Sequence, residues 1–374
     1  MKVVIIGSGL SGLLVAKNLH DQKFSGSVSV ITQERGVFYS KPSLSNVVKQ
    51  GKKVKDLVQM TQQQIEKDWG CEMITRQQVA RIDKINKLVH LKDTQVPYDR
   101  LVLALGASPI CYDWLPDSHP VYRVNDLDAY DTFHQAIDDK SHLLILGGGL
   151  IGCEFAHDLS AIAGKITLLE SESTLLSRFV PKEIGMGMAL ALKDRGVDVK
   201  VNCAVSAVTA LKDSVCVRTQ SEEISADVML ACLGLSPNIK LAQEAGIICD
   251  DAINVDVYGQ TSDPSIYALG DCASVSGIKR YYVSSLKICA DTIAKHICGV
   301  KQGIVYPPLP VGVKTPDYPV TFCYSEVPAE WRVERHDKGV RAVAYQGDEL
   351  VGFALSGDFI KEREVLKGQM KNWI

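Results

Sequence analysis

A chain of 374 residues, 46% hydrophobic and 23% charged, predicts two to three domains with ample cores. Its formal net charge of −3 gives no general attraction to nucleic acid or to an anionic membrane surface, and no apolar run approaches the length of a membrane span. The eleven cysteines include no C-x-x-C spacing and none before Cys71, so they read as small buried hydrophobes in a reducing compartment.

The first element is Val3–Ile6, too short for a core helix and suited to a buried parallel strand. Gly7, Gly9 and Gly12 follow in the spacing G-x-G-x-x-G, and Leu10, Leu13, Leu14 and Ala16 give the next segment a helical apolar face. Gly7 turns the chain out of the strand, Gly9 leaves bare backbone beside a pyrophosphate, and Gly12 lets the helix lie close on the strand. The helix start offers unpaired N–H groups and a positive dipole end to the phosphates. With a strand beginning at residue 2 or 3 and Gly7 already in use, no room is left for a cleavable leader, and a cytoplasmic location is expected.

Ser27–Ile31 reads as the second strand. It ends at Thr32, with Gln33 and Glu34 next, which leaves the ribose ligand of this first copy open. Pro42 holds Lys41 toward extended geometry and suits the start of a short helix. Lys49, Lys52, Lys53 and Lys55 form a solvated basic face. Residues 62–66 look helical, 71–75 form a strand, and 79–85 with 87–91 form a hairpin. Residues 98–109 make a buried strand ending on Gly106, which returns the chain to the first sheet. Pro109, Pro116 and Pro120 punctuate a linker, and 125–138 fits a capped helix.

Residues 143–159 repeat the opening motif: Gly147, Gly149, Gly152, Ala156 and Leu159 lie 140 positions after Gly7, Gly9, Gly12, Ala16 and Leu19. Two matched openings, each with its strand, helix and second strand, imply two dinucleotides in one chain. The second strand of the repeat, Lys165–Leu169, ends at Glu170, 18 residues after Gly152. A carboxylate there can accept both ribose hydroxyls and repels a 2′-phosphate, and no arginine follows before Arg178, so NADH is expected over NADPH. Cys153 and His157 share a helix face but supply only two ligands, too few for zinc. A helix over 184–194 and strands near 197–201, 204–209 and 215–219 continue this domain, and 227–237 ends on Gly234 as an echo of 98–109.

Ser265–Ala273 is another strand ending on glycine, Gly270, followed by Asp271, which can accept a hydrogen bond from a ribityl hydroxyl. With the paired glycine motifs and Leu101–Pro109, residues 1 to about 300 resemble the flavoprotein disulfide reductase superfamily with two dinucleotide folds. The closer resemblance is to the rubredoxin–NAD reductases. It rests on Tyr39-Ser40-Lys41-Pro42, Leu150 to Ala156, Tyr267 to Ala273, and Val313-Lys314-Thr315-Pro316.

That resemblance implies an α/β protein of two Rossmann-like domains, the second inserted in the first, plus a small C-terminal α+β domain. FAD would occupy residues 1–110 and 233–310, NADH residues 111–232, and the C-terminal domain residues 311–374. Lys41 and Glu154 would lie near the flavin N5 as a paired catalytic couple, and Lys314 by the pyrimidine end of the ring. Cofactor contacts are implied at Gly7, Gly9, Leu10, Ser11, Gly12, Gln33, Glu34, Lys41, Pro42, Val79, Ala104, Gly106, Gly270, Asp271 and Lys314. The second fold would contribute Gly147, Gly149, Leu150, Ile151, Gly152, Glu154 and Glu170, and the return to the first fold Gly234. No metal site is implied.

Disulfide reductases need a cysteine pair touching the flavin, and peroxidase or oxidase relatives use one cysteine early in the first domain; neither is available before Cys71. Electrons would therefore leave singly to rubredoxin or a similar small carrier that docks transiently, from a protein expected to be a monomer. A ferredoxin or the rubredoxin domain of a nitric-oxide-reducing flavoprotein stays open as the carrier. A non-catalytic NADH-sensing flavoprotein resembling apoptosis-inducing factor stays open as another class.

Overall fold

The computed structural model describes residues 1–324 and 327–374. The opening strand, β1 (Lys2–Ile6), is buried from Val3 to Ile6, and α1 (Leu10–Asp21) carries the chain back to β2 (Ser27–Ile31). β3 (Glu72–Ile74) extends this parallel sheet beyond β2, and β4 (Arg100–Leu103) flanks β1 on its other side. A separate antiparallel ribbon, Arg81–Asp83 with Leu88–His90 and Gln95–Pro97, confirms the expected hairpin and adds a third strand to it.

The second sheet repeats the plan. It contains β5 (Val121–Tyr122), β6 (His142–Leu146), β7 (Lys165–Leu169), β8 (Val197–Lys200) and β9 (Val228–Ala231), with α2 (Leu150–Leu159) between β6 and β7. β10 (Ile266–Ala268) then rejoins the first sheet beside β4, and α3 (Val283–Ile297) packs near α1. The sheet orders are β3-β2-β1-β4-β10 and β8-β7-β6-β9-β5. Even the hydrogen bonds just past each turn match: Gly7 N–H donates to Ile31 O and Gly147 N–H to Leu169 O, both at 2.8 Å.

The stretch expected as one strand over 98–109 is two. β4 stops at Leu103, the chain kinks through Gly106 at φ +65°, and Ala107–Pro109 pairs antiparallel with Leu235–Pro237. The chain thus leaves the first sheet and returns to it through one short ribbon, stitched by Asn238, whose side-chain amide donates to Leu105 O at 2.9 Å.

The C-terminal region forms an antiparallel sheet of β11 (Val311–Val313), β12 (Val320–Tyr324), β13 (Glu330–His336), β14 (Gly339–Gln346) and β15 (Glu349–Ser356), in the order β11-β12-β15-β14-β13. Helix α4 (Arg363–Gln369) closes it. Phe322, Val340 and Ala354 share a core cluster with Ile184 and Met188 of the helix Lys182–Asp194. The end of the chain lies on the first domain instead, where Trp373 N–H donates to Tyr306 O at 2.7 Å. Among the described residues no helix is long and apolar enough to cross a membrane.

Candidate functional site

Parallel strands that all end at one edge leave a crevice where the sheet order reverses, and each Gly-rich turn sits at such a point. One continuous cavity of about 2310 Å³ runs across both turns. That exceeds the few hundred to about 1,000 Å³ typical of a single small-ligand pocket.

The glycines divide into two kinds. A Cβ on Gly7 would lie 2.2 Å from Ala104 O, and one on Gly147 would lie 2.5 Å from Cys232 O. On Gly12 and Gly152 it would fall 2.0 and 1.9 Å from the carbonyl oxygens of Gly7 and Gly147. Gly12 and Gly152 are expected as cofactor contacts, yet neither lines the cavity; they let helix and turn close on each other. Gly270 behaves similarly: a Cβ there would meet the Ser11 side chain, and the residue does not line the cavity. Gly9 and Gly149 have nothing within 4 Å of a Cβ and face the cavity, as cradles for a diphosphate should.

In the first fold the cavity wall includes Gly7, Gly9, Leu10, Ser11, Gln33 and Glu34, with Val79, Ala104 and Gly106 beyond them. Thr32 is buried, and its Oγ1 accepts from Ser8 Oγ at 2.9 Å and from Glu34 N–H at 3.1 Å, so this hydroxyl is used internally. The short 3₁₀ turn Lys41–Asn46, with Pro42 in its first turn, brings Lys41 and Pro42 to the wall. Asp271 stands opposite: its Oδ1 is buried with no donor, and burial raises its pKa while Lys41 pulls it down. A buried acceptor lacking a partner inside the cavity suits a ligand hydroxyl.

In the second fold Gly147, Gly149, Leu150, Ile151, Glu154, Glu170 and Gly234 line the cavity. Glu170 caps the turn from the end of β7, accepting from Gly148 N–H at 2.7 Å through one oxygen and from Glu172 N–H at 2.9 Å through the other. Glu154, only 3% exposed, is the deepest charge in the site. Its expected partner, Lys41, is not the one found. Lys314 Nζ donates to Glu154 Oε2 at 2.6 Å, Lys314 N–H donates to Oε1 at 3.0 Å, and Ser45 Oγ donates to Oε2 at 2.5 Å. The reason is geometric: the segment following β11 meets α2 at Glu154 and His157 and delivers Lys314 by its backbone as well as its side chain.

Three features were not legible beforehand. Arg76 lines the first half of the cavity with a left-handed φ of +57°, and no glycine marks the turn. Tyr112 and Trp114 stack with ring centroids 5.4 Å apart on the wall; two aromatics in a proline-punctuated linker were the available sign. Ser45 had no sign at all. Among the described residues no cluster could hold a metal ion, and His157 is occupied by Asp317 at 3.2 Å while Cys153 Sγ donates to Gly148 O.

Comparison with known proteins follows this geometry. Residues 1–297 match the pyridine nucleotide-disulphide oxidoreductase family, and residues 303–370 match the rubredoxin binding C-terminal domain. The chain is 35% identical to rubredoxin-NAD(+) reductase of Alcanivorax borkumensis, over 98% of each chain. It is 30% identical to the nitric oxide reductase FlRd-NAD(+) reductase of Klebsiella pneumoniae, again over 98% of each. Its fold is that of the reductase in a crystal structure of a covalent putidaredoxin reductase–putidaredoxin complex, with a TM-score of 0.89 at 24% identity over 98% of this chain and 93% of that one.

Proposed function

We propose, on the premise that the chain belongs to the pyridine nucleotide-disulphide oxidoreductase family, that it passes electrons from NADH through FAD to rubredoxin or a rubredoxin-like carrier. The carrying observation is one cavity that joins two nucleotide turns with Glu154 at its floor. Residues 1–110 with 233–310 hold FAD in this reading, residues 111–232 hold NADH, and residues 311–374 complete the site and face the carrier. FAD, when bound, supplies a two-electron acceptor for NADH and a one-electron donor to the carrier.

The chain's own residues bind and orient. The helix starts of α1 and α2 bind the two diphosphates. Asp271 accepts from the ribityl chain of FAD, which gives its unpartnered Oδ1 a donor. Glu170 accepts from the adenosine ribose of NADH. Lys41, in its constrained turn, and the Glu154–Lys314 pair order the side of the flavin on which the nicotinamide stacks. Cys232 lines the cavity, but burial pushes its thiol up to about 12, which leaves it no thiolate to share in the reaction. No cysteine lies before Cys71, where the disulfide and single-cysteine relatives carry theirs, which supports direct electron exit. A cytoplasmic setting fits this chemistry.

Stopped-flow absorbance tests the reading. NADH should bleach the flavin, and rubredoxin should then reoxidise it faster than a ferredoxin or the rubredoxin domain of a flavorubredoxin does. Dithionite titration should consume two electrons per flavin. Uptake of four would reveal a redox disulfide, and a stable NADH complex that reduces no carrier would mark a sensor.

A further inference from the structure

We propose that Ser45 is a positioning residue for the Glu154–Lys314 pair, and that the three side chains clasp the three domains together at the cavity floor. This rests on the cavity being a two-nucleotide redox site. Ser45 comes from the first fold, Glu154 from α2 of the second, and Lys314 from the segment following β11. Ser45 is 3% exposed, as is Glu154, whereas the Lys314 side chain keeps 32% of its surface.

A hydroxyl has one proton to give. Ser45 Oγ lies 2.5 Å from Glu154 Oε2 and 3.4 Å from Pro42 O, so the proton goes to the closer, charged acceptor. Its lone pairs then face Lys314 Nζ, which lies 3.3 Å away. The direction of donation runs from Lys314 to Ser45 to Glu154, with a second, direct contact from Lys314 to the same carboxylate oxygen at 2.6 Å. Glu154 cannot turn without breaking contact with both other units.

Ser45 also lies in the 3₁₀ segment that begins at Lys41, at its kink (φ −87°, ψ 19°), with φ fixed upstream at Pro42. One short piece of chain therefore carries both Lys41 at the cavity wall and the hydroxyl that holds Glu154. The α1 helix carries Leu14 where α2 carries Glu154, so the clasp belongs to the second fold alone. Without the Ser45 hydroxyl, a buried carboxylate oxygen loses a donor and the charge beside the flavin is no longer held in one place.

The test uses Ser45→Ala as holoprotein. At saturating NADH, flavin reduction should slow roughly tenfold, the size expected for one hydrogen bond to a charged group, with FAD content unchanged. The flavin midpoint potential, measured without NADH, should fall. In a Glu154→Leu background the same substitution should have no further effect on either readout. Thermal unfolding of the apoproteins supplies a cycle free of turnover, and the losses from Ser45→Ala and Glu154→Leu should be non-additive. Wild-type rate and potential in Ser45→Ala, or fully additive losses in the apoprotein cycle, would overturn the clasp. Failure of wild-type flavin to be reduced by NADH would overturn the functional reading instead, and the apoprotein cycle would still decide the clasp.

Discussion

The two nucleotide folds agree in sheet order, turn and helix, and part company at three matched positions. The fifth residue of the first helix is Leu14, packed against its own core, while its counterpart Glu154 reaches Lys314. Lys17 pairs with Asp21 on the exposed face of α1, while its counterpart His157 is buried and meets Asp317. At the end of the second strand both residues line the cavity, but Thr32 is spent on hydrogen bonds to Ser8 and Glu34 while the Glu170 carboxylate braces the glycine turn. What the folds share is backbone and steric closeness, sufficient to hold a diphosphate. What they do not share is side-chain charge, and the second fold spends it on neighbours: Glu154 and His157, three residues apart on α2, grip Lys314 and Asp317, three apart on the C-terminal segment.

The largest expected effect tests the shared part. Gly12→Ala and Gly152→Ala each place a methyl about 2 Å from a backbone carbonyl oxygen, so helix and turn must separate. Each should lose roughly 1–3 kcal/mol or more in unfolding. The losses of function should differ: Gly12→Ala should release FAD on gel filtration, whereas Gly152→Ala should keep yellow protein that no longer binds NADH. Loss of flavin from both variants would mean that the folds are not separable in this way.

The same contrast explains what the sequence could show. Glycine spacing, apolar strands and the 140-residue offset follow local rules, so both sheets and their cradles were legible. Glu154 was legible as an odd charge where the first copy has Leu14. Its partner was not, because Lys41 and Lys314 are equally plausible cations until the C-terminal sheet is docked on α2. Pairing across 160 residues leaves no periodic trace. Gly12, Gly152 and Gly270 are close-packed positions that do not line the cavity; the packing role of Gly12 was legible from its spacing, that of Gly270 was not. Arg76 lies in an irregular loop and Ser45 in a short, kinked 3₁₀ segment, where pattern carries least.

A smaller effect sharpens the divergence at the strand ends. Glu170 should exclude the 2′-phosphate of NADPH, so kcat/KM should favour NADH by about tenfold or more, some 1.4 kcal/mol. Glu170→Ala should narrow that ratio chiefly by weakening NADH, because the carboxylate also steadies Gly148 N–H. Equal efficiency with both nucleotides in the wild type would remove Glu170 from this role. The matched change in the first fold, Thr32→Glu, should destabilise the protein without altering nucleotide choice, since Thr32 is only 5% exposed.

The smallest effect concerns His157 and the pH dependence of stability. Burial and the nearby Arg195 guanidinium hold its pKa below the ordinary histidine value, and Asp317 only partly offsets them. A folded pKa below the unfolded one means that the unfolded state binds the proton more readily. The stabilising contribution is therefore complete above the unfolded value, near pH 6.5, and is lost as pH falls from there through the lower folded value. Asp317 does not set this window, because Arg195 holds its own pKa below the usual carboxylate range and it titrates only at lower pH. His142 and His296 are also shifted down by burial, so they add to the same slope. His157→Gln keeps a donor for Asp317 while removing the titration. It should flatten the fall in Tm between about pH 7 and pH 5 by an amount worth roughly 1 kcal/mol or less, leaving the remainder to the other two histidines. Lys17→Gln, the matched change on α1, should leave the slope untouched. If His157→Gln retains the full wild-type slope, burial of the His157 ring on α2 is not what makes the fold sensitive to acid.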